Sequence, residues 1–473
     1  MAMNNIKKVF AIGCIFLILL FSAGCGKQKI TQEETITVGF ISPLTGDVAN
    51  YGESARGGVE LALEEINAQG INGKKMNVIY EDGRCNAKDA TLAAQKLINQ
   101  NGVYVIMGGV CSSETLAAAP LAEEAQVVLV SFASSSPDIT NSGDYIFRTW
   151  PSDAGQGKKI AEKMIADGIK TVGIVHPNSD YNLALAKAFT ESFEAQGGKV
   201  VLREMYEQDA KDFRTQLLKV KAAQVEAMYI IPYGEGGLVM KQAREQGISV
   251  PLYASETVGT PEVVADAGGA AEGVIYATPA FDAESSSAKV FLEKYVSKYG
   301  KEPSFGVVAA TAYDTAHLVA DALRTGEDAN AVKQYLYNVQ NYAGVAGTLT
   351  IDEHGDALKD FQLMVIHEGA FIPLEKLPKV TLSNKVMIKQ NDESLDVTPV
   401  QVKAGEVQFT IENTDTIKIV TGIEGNGLDN VYETESKKKT EISLELQPGD
   451  YLIYDALGSR KNQGRFAPLE VLA

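Results

Sequence analysis

From residue 35 to residue 253, short apolar runs alternate with amphipathic stretches, and this cadence restricts the fold more than any other feature of the 473-residue chain. Residues 36–41 read as a buried strand. Residues 54–68 read as a helix, with Val59, Leu61, Leu63 and Ile66 apolar, Glu60, Glu64 and Glu65 between them, and Gly70 as the stop. Strands follow at 76–80, 103–107 and 127–130, with helices at 87–100 and 115–125. A second series then begins, with helices at 158–167, 183–196, 213–223 and 238–246 and strands at 171–175, 199–202, 227–232 and 250–253. Alternation of this length builds βαβ units and parallel sheets. Two successive series predict two doubly wound α/β lobes. Ligands of such sheets bind beyond the carboxyl ends of the strands, which here face a cleft between the lobes.

After Lys379 the helical period stops. Strands are predicted at 397–402, 406–412, 418–423, 440–446, 450–454 and 467–471, with turns at 402–406 and 447–450. Residues 384–473 therefore read as an all-β sandwich. Residues 372–383, with Pro373 and Pro378, read as a linker.

Composition narrows the function. The formal net charge of −18 repels phosphate backbones, so no nucleic-acid partner is expected. With 4 His and 4 Cys, a His/Cys metal centre has few ligands to draw on, and neither metal nor cofactor is expected. The chain has no G-x-S-x-G, G-x-x-x-x-G-K-[ST], H-E-x-x-H or G-x-G-x-x-G motif. Gly234-Glu235-Gly236-Gly237 fails the dinucleotide spacing, and His176, His317, His354 and His367 are scattered. These absences point away from an enzyme.

The N-terminus sets the compartment. Lys7 and Lys8 precede an apolar run at 9–21, too short for a comfortable span of about 20 residues. Ser22, Ala23 and Gly24 then lead to Cys25. This resembles a bacterial lipoprotein signal. It implies a signal peptide at 1–24, a lipidated Cys25 as the first mature residue, and a tether at 25–34 that holds an extracytoplasmic protein on the cell membrane. A plain secretion signal or an uncleaved anchor are the alternatives. Cys14 lies within the signal, which leaves Cys85 and Cys111 in the body. Outside the cytoplasm a lone pair is expected to bridge. The roughly 27-residue loop would stabilise by about 3 kcal/mol in the chain-entropy view. Two free buried thiols are the alternative.

Two strand ends carry clustered hydroxyls. Gly108-Gly109-Val110-Cys111-Ser112-Ser113-Glu114-Thr115 follows one predicted strand, and Ser131-Phe132-Ala133-Ser134-Ser135-Ser136-Pro137 follows the next. Ser hydroxyls beside free N–H groups at helix starts suit a carboxylate. Either segment alone reads as an ordinary N-cap. Two at neighbouring strand ends of one lobe favour a binding site.

Further segments carry a family likeness. They are Gly39-Phe40-Ile41-Ser42-Pro43-Leu44-Thr45-Gly46 with Tyr51-Gly52, Ala62-Leu63-Glu64-Glu65-Ile66-Asn67, Glu81-Asp82-Gly83-Arg84-Cys85, Phe147-Arg148-Thr149, Gln242-Ala243-Arg244-Glu245-Gln246-Gly247 and Ala312-Tyr313-Asp314. In order and spacing, residues from about 35 to 370 resemble the leucine/isoleucine/valine-binding family of ABC-transporter substrate-binding proteins, with the type I periplasmic-binding fold. The resemblance implies one binding domain over 35–371, lobe I being about 35–153 and 279–345 and lobe II about 154–278 and 346–371. Hinges are expected near 150–156, 277–281 and 345–350.

The resemblance also implies a clamp for a zwitterion. Ser112, Ser135 and the Ala133 main chain fall where the family holds an α-carboxylate, and Glu256 where an acid takes the α-ammonium. Tyr181 and, after a one-residue gap, Tyr233 fall where the second lobe supplies aromatic hydroxyls, and Tyr51 where an aromatic ring covers the ligand side chain. A buried ammonium needs such a carboxylate, since burying it alone costs several kcal/mol. The expected ligand is a free amino acid, branched-chain or otherwise aliphatic. The family's binders of amides, urea and aromatic acids, or a sensor that signals to a partner, are the alternatives. An ABC permease in the membrane is the expected partner, and the protein is expected to be a monomer.

Residues 384–473 resemble cupredoxin-like domains through 404–409, 411–414 and 448–451. Copper needs His and usually Cys and Met ligands. Residues 385–473 hold no His, no Cys and only Met387, and Asp455 and Ser459 stand near where ligands would be expected.

Overall fold

A computed structural model of the chain describes residues 34–208, 210–377, 384–391, 394–399, 401–456 and 466–472. Cys14, Cys25, the signal at 1–24 and most of the tether at 25–34 lie outside the described residues. The chain divides into two compact units, one ending at Leu377 and the other following it.

The first unit opens with β1 (Thr35–Ser42), α1 (Ala49–Gln69), β2 (Lys75–Asp82), α2 (Ala87–Gln95), β3 (Val105–Gly108), α3 (Ser112–Ala125), β4 (Val128–Ser131) and β5 (Ile146–Arg148). The strands form one sheet in the order β2-β1-β3-β4-β5, parallel throughout. Strands covered on both faces read as unbroken apolar runs, and all of β3 and β4 is buried.

The second series comprises α4 (Asp153–Ala166), β6 (Thr171–Pro177), α5 (Asp180–Ala195), β7 (Lys199–Tyr206), α6 (Arg214–Ala222), β8 (Ala227–Ile230), α7 (Gly236–Glu245), β9 (Leu252–Ala254), α8 (Pro261–Ala267) and β10 (Ile275–Pro279). The chain then returns to the first lobe through α9 (Ser286–Tyr299), α10 (Gly306–Thr325), α11 (Ala329–Tyr337), β11 (Tyr342–Gly344) and β12 (Gly347–Leu349), and ends the unit with β13 (Phe361–His367) and β14 (Ala370–Pro373). The second sheet runs β14-β13-β10-β9-β8-β6-β7, with β13 and β14 antiparallel additions to a parallel core.

Boundaries differ from the sequence reading in three informative ways. The hairpin of β11 and β12 stays with α10, whose Asp314 carboxylate accepts the N–H groups of Val345 and Ala346 at 2.8 Å each. Ile351 N–H likewise bonds to Val339, so the second lobe regains the chain near β13 rather than at 346. Residues 372–373 complete β14 instead of beginning a linker. The helices α1, α4 and α5 also start three to five residues before the expected 54, 158 and 183. Their first turns face the other lobe, where an apolar stripe against their own sheet is not required.

The second unit contains β15 (Lys385–Gln390), β16 (Leu395–Thr398), β17 (Gln401–Lys403), β18 (Gly405–Asn413), β19 (Ile419–Gly425), β20 (Leu428–Thr434), β21 (Lys439–Leu446), β22 (Gly449–Asp455) and β23 (Phe466–Leu472). They form a β-sandwich of two sheets, β16-β15-β18-β21 and β17-β23-β22-β19-β20, around Val386, Ile388, Phe409, Ile411, Ile423 and Ile453. The expected strand at 397–402 is two strands in different sheets. Pro399 lies at the break, and without an N–H it cannot continue a ladder. The expectation also lacked β15 and β20; β20 is a half-exposed edge strand with few apolar residues to announce it.

Candidate functional site

The carboxyl ends of β1, β3, β4, β8 and β9 supply a cavity of about 40 Å³ between the lobes. It is walled by Val48, Tyr51, Val110, Cys111, Ser112, Ala133, Ser135, Trp150, Tyr181, Tyr233, Glu256, Thr257, Phe305 and Val308. All seven residues read as ligand contacts, Tyr51, Ser112, Ala133, Ser135, Tyr181, Tyr233 and Glu256, therefore meet in one place.

The first lobe contributes helix starts. Ser112 is the first residue of α3, and its Oγ accepts the Ser136 N–H at 3.1 Å. Glu114 closes the same turn: its buried carboxylate accepts N–H groups from Val110 and Cys111, at 3.0 Å each, and from Cys85 at 3.1 Å. Desolvation nevertheless pushes the Glu114 carboxyl up to about 7. Cys85 and Cys111 form a disulfide, with Cα atoms 5.3 Å apart. The bridge clamps the Ser112 turn to the loop after β2. The second hydroxyl cluster is tied to the first, since Ser131 Oγ and Ser134 Oγ donate to the Gly109 carbonyl at 2.8 and 3.0 Å. Ser135 Oγ lies 2.8 Å from Asp153 Oδ2, and Asp153 N–H donates to the Ser135 carbonyl at 2.8 Å.

The second lobe supplies the acid. Glu256 follows β9, and its Oε2 accepts from Gln156 Nε2 and, at 3.1 Å, from Tyr181 Oη. Burial pushes the Glu256 carboxyl above the ordinary carboxylate range, against the pull of those two donors. The Tyr181 and Tyr233 rings lie 5.4 Å apart. Tyr51 Oη crosses the cleft to donate to the Thr257 carbonyl at 2.7 Å, and its ring meets Phe305 edge-on at 5.3 Å. Hydroxyls, a main-chain amide and a carboxyl group thus share the lining of the cavity with Val48, Val110, Trp150, Phe305 and Val308.

Sequence reasoning missed these apolar walls. Trp150 is the sole tryptophan of the chain and sits just before a lobe crossing, a signal that was there to be used. Asp153 and Gln156 were missed as well, and nothing in the sequence separates Asp153 from the other 60 acidic residues. None of the four histidines lines the cavity. Among the described residues no group of three or more His, Cys, Asp or Glu could hold a metal ion.

Residues 35–370 match the family described as periplasmic binding protein. The chain belongs to that family. Its two lobes have the type I periplasmic-binding fold. The leucine-, isoleucine-, valine-, threonine- and alanine-binding protein of Pseudomonas aeruginosa is 32% identical over 338 residues, 70% of this chain and 89% of its own. A leucine-binding protein from Thermotoga maritima superposes with a TM-score of 0.67 at 30% identity, covering 72% of this chain and 100% of its own. The branched-chain amino acid transporter substrate-binding protein of Streptococcus pneumoniae, solved in complex with isoleucine, gives 0.66 at 31%, covering 72% and 98%. This family member is a solute-binding protein and not an enzyme. No helix among the described residues is long and apolar enough to cross a membrane.

Proposed function

We propose that the chain is the substrate-binding lipoprotein of an ABC importer, closing two lobes on a free aliphatic amino acid and delivering it to a membrane permease. One observation carries this reading. One cavity between the lobes is lined together by Ser112, Ser135, Ala133, the Glu256 carboxyl and the apolar side chains of Val48, Val110, Trp150, Phe305 and Val308. That arrangement complements a carboxylate, an ammonium and a hydrocarbon side chain. The P. aeruginosa and S. pneumoniae relatives, which bind branched-chain amino acids by name, support it. Entry requires the lobes to part at the chain crossings, and hinge closure does the work. Residues 1–24 act as the signal peptide and Cys25 carries the lipid, which keeps a monomeric protein beside its permease.

The sandwich is read as a cupredoxin-like domain that has no copper. The donor set does not fit the metal, because residues 385–473 lack His and Cys altogether. It serves as a spacer, a wall contact or a partner surface.

Calorimetry on residues 26–473, unfolded and refolded to strip carried-over ligand, tests the binding reading. The panel is leucine, isoleucine, valine, other amino acids, small amides and urea. Tight binding of an aliphatic amino acid, weakened at least about a hundredfold in Glu256→Ala by loss of a buried charge partner, is expected. Silence from folded protein across all amino acids would sink the assignment.

A further inference from the structure

Asp153 is fully buried at the first position of α4, beside Ser135 of the proposed site. Its Oδ2 has one neighbour, Ser135 Oγ at 2.8 Å, and its Oδ1 has no hydrogen-bond partner among the described residues. The helix start offers it nothing. The Asp153 N–H goes to the Ser135 carbonyl, the Ala154 N–H to Ser152 Oγ and the Gly155 N–H to the Ser152 carbonyl. Arg148 favours the charged form through its field alone, without a hydrogen bond to Asp153. The fully buried Arg148 guanidinium is occupied by both Asp356 oxygens at 2.7 Å and by Ser136 O and Thr140 Oγ1 at 2.8 Å. One helical turn on, Gln156 binds Glu256, so two carboxyls share one dry region. Tyr229 Oη, buried and without a partner among the described residues, lies in the field of both carboxyls, and Tyr181 Oη donates to Glu256.

An ionised carboxylate with a bare oxygen and a second acid nearby is strongly disfavoured, whereas a neutral carboxyl is tolerated. Ser135 then has a choice to make. If Asp153 is ionised, the Ser135 hydrogen points at it, and only lone pairs face the cavity. If Asp153 is protonated, its own hydrogen goes to Ser135 Oγ and the Ser135 hydrogen is released toward the ligand.

We propose that Asp153 is a positioning residue, a neutral carboxylic acid that donates its Oδ2–H to Ser135 Oγ and so turns the Ser135 hydroxyl toward a ligand carboxylate. The inference rests on the amino-acid reading above and deepens it. Asp153 and Glu256 together carry a single negative charge, held on Glu256 beside the ammonium. The proton stays on Asp153 throughout. Burial, and then the neighbouring Glu256, push the Asp153 carboxyl well above its ordinary range, against the opposing pull of Ser135 and Arg148.

A double-mutant cycle tests this in the full mature chain, with L-leucine as first probe, or else the panel amino acid that wild type holds tightest. Asn at 153 keeps a donor toward Ser135 and stays neutral. Asp153→Asn should bind within about threefold of wild type, while Asp153→Ala loses about tenfold or more, the scale of a hydrogen bond to a charged group. Ser135→Ala and the double variant Ser135→Ala/Asp153→Ala should bind alike, because Asp153 acts through Ser135. Equal losses in the Asn and Ala variants, or losses that simply add, would overturn the inference while leaving the amino-acid reading standing. Wild type silent to every amino acid overturns both. Should Asp153→Ala fail to fold in thermal melts, the Asn variant decides alone, a tenfold loss counting against.

Discussion

His176 shows how one side chain can set a pH limit on a protein it does not help to function. It is fully buried in β6, with Nδ1 2.7 Å from the Pro177 carbonyl and Nε2 accepting the Arg203 Nε–H at 3.0 Å. Those partners demand the neutral ring with its hydrogen on Nδ1, because a second proton on Nε2 would face the guanidinium. Desolvation accordingly lowers the imidazole from 6.5 to about 4. The folded value is below the unfolded one, so its contribution is complete above about 6.5 and is lost as pH falls through about 4. Melting followed from pH 7 to pH 4 should show a stability loss of up to about 3 kcal/mol from this group. Proton NMR of the ring should find it neutral at pH 5.5. A protonated ring at that pH would refute the argument. The site residues work at the same scale, where the carboxyls of Glu256 and Asp153 have different hydrogen-bond partners.

Elements place the site through their first turns. Tyr51 in α1, Ser112 in α3, Asp153 in α4 and Tyr181 in α5 all stand within three residues of a helix start. A helix start points its free N–H groups and its first side chains into the space beyond the strand ends. Holding α1 in position depends on its crossing with the almost wholly buried α10. Gly58 is the point of closest approach, since a Cβ there would collide with the Ala309 carbonyl, a backbone atom that cannot turn aside. Gly58→Ala should cost about 1–3 kcal/mol by overpacking, read as a lower denaturation midpoint with an unchanged slope. It should also weaken ligand binding, because Tyr51 rides on the displaced helix. A variant as stable as wild type would show that the helices can part without penalty.

At the scale of the whole molecule, the two units have cores of their own. The sandwich closes over Phe409, Ile411 and Ile453 and is made entirely of residues beyond 384. Scanning calorimetry should therefore resolve two transitions. An amino acid held between the lobes, at a hundred times its Kd, should stabilise the first unit by about 2.7 kcal/mol and leave the sandwich transition where it was. A ligand that moves both transitions together would mean that the units unfold as one.

Strand–helix alternation was enough to foresee two doubly wound lobes, because burial on both faces of a parallel sheet writes itself into local apolar runs. The hydroxyls after 107 and 130, helped by family likeness, also marked where the cavity lies. Local pattern failed where contacts join distant positions. Tyr51 reaches Thr257 across 206 residues of chain, and Gln156 reaches Glu256 across 100. The apolar walls at Trp150, Phe305 and Val308 come from separate crossings and one returning helix. Asp153 carries no mark in the sequence at all, since an aspartate beside a helix start is common. Only folding removes its water, leaves one oxygen bare and sets the other against Ser135, and that environment rather than residue type decides its chemistry.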